Sequence, residues 1–69
     1  MNSIEHSVLV VLLRLCEEAP HKRYDLISLA SKQHRSEVFS EYLVRLSSVI
    51  ENRDTFTQMC ATIRKELRQ

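Results

Sequence analysis

Three histidines (His6, His21, His34) and two cysteines (Cys16, Cys60) are the side chains that could hold a metal or attack a substrate. A structural zinc site needs four ligands, usually as two closely spaced pairs. Cys16 and His21 stand five apart across Pro20, and Cys60 has no neighbouring Cys or His. One pair without a second predicts no metal site, and the histidines read as solvated groups at helix ends. A cysteine nucleophile needs an adjacent base and a third group to orient it. Nothing in the order of residues assembles those, and both cysteines fall on apolar helical stripes. They read as buried reduced thiols in preference to a Cys16–Cys60 disulfide. Glu17 and Glu18 are neighbours only in sequence, because adjacent helical residues do not face each other.

The chain has no glycine. Glycine is the usual residue where backbone turns left-handed or closely approaches a ligand. Without it there is no phosphate-cradling loop, no dinucleotide fingerprint and no nucleophile elbow. We therefore expect no catalytic residue, no cofactor and no small-molecule substrate. One short cluster could still meet phosphate: His21-Lys22-Arg23-Tyr24, with Tyr24 stacking on a base. The favoured reading is a solvated link with Tyr24 turned into the core. The net charge of +1 gives no general pull toward nucleic acid or an anionic membrane.

The elements that position these residues follow from apolar spacing. Sixty-nine residues make one domain, 1–69. Asn2 is a good N-cap, with Glu5 three residues on, and opens a helix over 3–18 that stops at Ala19-Pro20. Val8, Val10 and Val11 leave a strand as the lesser alternative there. A second helix spans 23–33, with Tyr24, Leu26, Ile27, Leu29 and Ala30 on its apolar side. A third spans 37–50, capped by Ser36, with Val38, Phe39, Tyr42, Leu43, Leu46, Val49 and Ile50 facing inward and a Glu41–Arg45 pair outside. The second and third read as two helices in preference to one continuous one. A fourth spans 55–67, opened by a Thr55/Gln58 capping box, with Phe56, Met59, Cys60, Ile63 and Leu67 along one face. The expected fold is all-α, a compact bundle of three to four short helices.

The first helix poses the main question. Its segment Val8-Leu9-Val10-Val11-Leu12-Leu13 is apolar on every side, which suits a central strut. Three short helices can hardly enclose it. A core this small rarely yields more than roughly 3–5 kcal/mol, so chains of this length usually add a staple such as a second subunit. Large exposed apolar patches usually mark a contact with another chain. Val8, Leu9, Val11, Leu12 and Leu15 are accordingly the candidate residues for a protein partner or a homodimer. The apolar run is too short for a membrane span and is interrupted by Arg14. With no basic leader either, the chain is expected to be soluble and cytoplasmic.

The segment VLLRLCEEAPHKRYDLISLASK also resembles the opening of PadR-type winged-helix regulators. In those, an apolar helix, a short Pro-containing link and a helix beginning Tyr-acidic-Leu-Ile follow in order. Tyr24-Asp25-Leu26-Ile27 stands in that place here. The next segment, SEVFSEYLVRLSSVIE, is similar to a recognition helix capped by Ser36, with Leu43 and Leu46 facing in. The resemblance covers about residues 8–50. It implies a dimeric helix-turn-helix regulator whose third helix enters the DNA groove, with Lys22, Arg23, Lys32, Arg35 and Arg45 meeting nucleic acid. Arg23 stands where the family has glycine, and a fourth helix replaces the two-stranded wing. Glu37 and Glu41 on the reading helix would repel phosphate. The leading expectation is thus a non-enzymatic helical interaction protein (adaptor, chaperone or regulator) that buries a spare face of its first helix. The alternative is a DNA-binding regulator.

Overall fold

The computed structural model describes residues 1–33 and 36–68. It is all-α, as the spacing predicts. Helix α1 spans Ser3–Glu18, a single 3-10 turn covers Pro20–Lys22, and α2 spans Arg23–Gln33. Helix α3 spans Glu37–Ser48 and α4 spans Arg53–Leu67. Among the described residues there is no strand.

Local chemistry sets the ends of the helices. The Asn2 side-chain oxygen accepts from the Glu5 backbone N–H at 2.8 Å, satisfying one of the donors a helix start leaves open. The Ala19–Pro20 pair then forces the chain out of α1, because the residue before proline is driven from helical geometry; Ala19 has φ −133 and ψ 70. Ser36 is extended and its hydroxyl accepts from the Phe39 N–H. That makes α2 and α3 separate helices.

Two boundaries differ from the sequence expectation. Helix α3 ends at Ser48, and Val49 and Ile50 pack half-buried against the core from the following turn. Their apolar spacing continues the helical pattern, but burial does not require helical backbone. Helix α4 starts at Arg53, because its cap is Asn52, whose side chain accepts from the Thr55 N–H at 3.0 Å. Asparagine is at least as good an N-cap as threonine, and the extra residues bring Asp54 into the first turn, where the helix dipole favours a carboxylate.

The helices form a closed ring. Helix α1 packs on α2 and α4, and α3 completes the ring between α2 and α4. So α1 is one corner of a four-helix arrangement and not the expected central strut. The core is one cluster of Leu9, Leu12, Leu13 and Cys16 from α1, Ile27 and Ala30 from α2, Phe39, Leu43 and Leu46 from α3, and Phe56, Cys60 and Ile63 from α4. Each buried aliphatic or aromatic side chain contributes about 1.5–3 kcal/mol.

Candidate interaction surface

Helix α1 carries two apolar stripes. The core stripe is Leu9, Leu12, Leu13 and Cys16, joined by the buried Glu5. The second is Ile4, Val8, Val11 and Leu15, each one residue before a core position. One residue is about 100° around a helix at 3.6 residues per turn, so the second stripe lies beside the first. It is left uncovered: Ile4 is 72% exposed, Val11 53% and Leu15 41%. Helix α2 forms a wall along it. Val8, Val11, Leu12 and Leu15 make one side of an open groove, and Leu26, Leu29, Ala30 and Gln33 make the other. Leu29 is 54% exposed.

The five candidates of α1 therefore divide. Val8, Val11 and Leu15 line the groove, and Leu12 forms its floor, almost wholly buried. Leu9 does not belong to this surface. It is fully buried in the core, because it sits on the inward stripe. Sequence reasoning missed Ile4 and the α2 residues. Ile4 was findable, lying four residues before Val8 on the same stripe. Leu29 was not, because an apolar residue on a short helix looks like core until its neighbours are placed. Two other residues expected inside are outside: Tyr24 is 49% exposed and Val38 42%. Tyr24 instead lies under the Arg23 guanidinium, 5.1 Å from ring centroid to cation.

Two cations of the nucleic-acid alternative, Arg23 and Arg45, are engaged within the fold. Arg23 donates from Nε to the Ile50 carbonyl at 2.6 Å and from Nη1 to the Pro20 carbonyl at 2.9 Å. It fastens the α1–α2 link to the α3–α4 link. Arg45 makes a two-pronged pair with Glu66 of α4, at 3.0 and 2.8 Å, and not with Glu41. The paired guanidinium holds the Glu66 carboxyl below the usual glutamate range. Lys22 and Lys32 are exposed, and Arg35 lies outside the described residues. A different set of cations gathers where α1 meets the end of α4: Arg14, Arg64 and Arg68, with His6 beside them. Arg64 is tied to Glu17 at 2.6 Å.

The thiols are buried in the core. Both cysteines are free. Burial pushes Cys16 up to about 11 and Cys60 up to about 12; the Glu17 carboxylate raises both, and the Arg64 cation opposes it at Cys60. A buried thiol held that high is protonated at neutral pH, and the thiolate is the nucleophilic form. His6 and His21 are exposed, His34 lies outside the described residues, and no group of three potential metal ligands occurs among the described residues. No helix among them is long and apolar enough to cross a membrane.

No known protein family matches this chain, and no curated protein or solved structure matches it.

Proposed function

We propose that this protein works without catalysis, as a small interaction module that docks a protein partner or a second copy in the groove between α1 and α2. The observation that carries this reading is the pair of exposed residues Val11 and Leu15 across the groove from Leu29, with the exposed Ile4 continuing the same stripe of α1 beyond it. Scattered exposed apolar residues are ordinary on a soluble domain, whereas a contiguous patch marks a contact. Covering the groove would remove that patch from water and complete the burial of α1. The chain's role is then that of an adaptor, chaperone or regulator.

The DNA-binding reading has less behind it. Two of its five cations are already engaged within the fold, and a fourth helix stands where a wing would be. The test uses two surface variants, Val11→Asp and Leu29→Asp, each checked for unchanged helicity by circular dichroism. Both are expected to abolish the association of the full chain, with itself or with protein captured from native extract. Association that survives both variants sinks the proposal. Steeply salt-dependent binding of duplex DNA, weakened by Arg35→Ala, would favour the alternative.

A further inference from the structure

Resting on that docking surface, we infer that its occupant is a second copy of this chain, packed with the two α1 helices antiparallel. The open stripe is spaced four, three and four residues apart: Ile4, Val8, Val11, Leu15. That spacing reads the same from either end. Two copies running in opposite directions bring Ile4 onto Leu15 and Val8 onto Val11, at both ends alike. This is the self-complementarity a two-fold interface requires. The pairs join side chains of similar size, so neither end leaves a gap.

The charges beside the stripe select the direction. Its outer flank, away from α2, carries Ser3, Ser7, Arg14 and Glu18, all exposed. In a parallel two-fold pair this flank would meet the α2 wall of the second copy, setting Arg14 and Glu18 against the apolar Leu26 and Leu29. In the antiparallel pair Arg14 falls between the second copy's Ser3 and Ser7, two small hydroxyls that can accept its hydrogen bonds. Glu18 then lies beside the start of the second copy's α1, the end of a helix that favours a carboxylate.

The area fits a weak dimer. Ile4, Val11, Leu15 and Leu29 together expose on the order of 400 Å², a patch of the size that tends to be functional. Two such patches bring together about 800 Å² of apolar surface, in the range of weak, concentration-dependent association below about 1,200 Å². A chain too short to bury a large core gains from that closure what longer chains obtain from their own helices.

The test is light scattering over a concentration series, followed by oxidative cross-linking. A concentration-dependent doubling of mass is expected, lost in Val11→Asp and in Leu29→Asp. The register is read with two single variants, Ile4→Cys and Leu15→Cys. Mixed together they should form a cross-linked heterodimer. Alone, each should stay uncross-linked, because like positions sit about 16 Å apart along the antiparallel pair at 1.5 Å rise per residue. The native thiols stay out of the reaction, since both are buried. Cross-linking of Ile4→Cys with itself would overturn the antiparallel packing. A monomer at concentrations up to about 1 mM overturns the dimer. If that monomer captures another protein through Val11 and Leu29, the groove keeps its docking role with a different occupant. If it captures nothing, the docking role fails as well.

Discussion

The two seams of α1 are built differently. Where α1 meets α4, Glu17 pairs with Arg64 and His6 lies 3.5 Å from the Leu67 carbonyl. Around the ring, α4 is tied to α3 by the Arg45–Glu66 pair. Where α1 meets α2, no ion pair or side-chain hydrogen bond crosses among the described residues, and the rim is apolar. The α4 side has the finish of a surface that already meets water, with polar groups outside and an ion pair across it. The α2 side has the character of a core that stops short. Two sides of one helix can thus carry opposite surface chemistry, and the docking proposed above falls on the unfinished one.

The comparison breaks most sharply at the core stripe. Leu13→Ala should cost about 2–5 kcal/mol in chemical denaturation, since Leu13 is fully buried. Val11→Ala, only two residues away but on the open stripe, should change the stability of the monomer by less than about 0.5 kcal/mol. Equal losses would mean that the groove is as tightly packed as the core.

Next in size is the tie between the links. Arg23→Ala removes donors to the Ile50 and Pro20 carbonyls and should cost about 1–3 kcal/mol, as hydrogen bonds from a charged group do. A loss near zero would show that water replaces the arginine freely, and that the α2 side is loose at its links as well as open along its groove.

The closed seam should prove the less costly to disturb. Glu17→Gln breaks a pair whose side chains are 34% and 27% exposed, so solvent screening limits the loss to below about 1 kcal/mol. Added salt should shrink it further. A larger loss would mean that the polar seam holds α1 in place by itself.

The smallest effect belongs to Glu66. Its carboxyl is lowered in the folded chain by the hydrogen bond from Arg45. A lowered carboxyl adds stability above its unfolded value, and that share disappears as pH falls through the folded value. Thermal melts of the wild type and Glu66→Gln should therefore differ slightly near neutral pH and converge in acid below about pH 4. A difference that grows in acid would contradict the pairing.

Much of the fold is legible without coordinates. Asn2 and Ser36 announce helix starts because a cap is a contact between residues three apart. Asn52 was overlooked only because Thr55 offered a rival cap nearby. Pro20 ends α1 by local sterics. The excess of apolar residues on α1 is likewise visible in the sequence, and so is its consequence: more apolar surface than one side of a helix can bury.

Packing alone decided the rest. Sequence spacing assigns Leu9 and Val11 equal standing, yet one is fully buried and the other half open, because α2 and α4 approach α1 from particular directions. Arg23 looked like a free cation until a carbonyl from 27 residues away came within 2.6 Å. Arg45 chose Glu66, 21 residues on, over Glu41 one turn before it. Caps, breaks and stripes are local, so the sequence by itself determines them. Which stripe faces inward and which charges are already paired depend on segments far apart in the chain, and only the closed ring of helices brings those together.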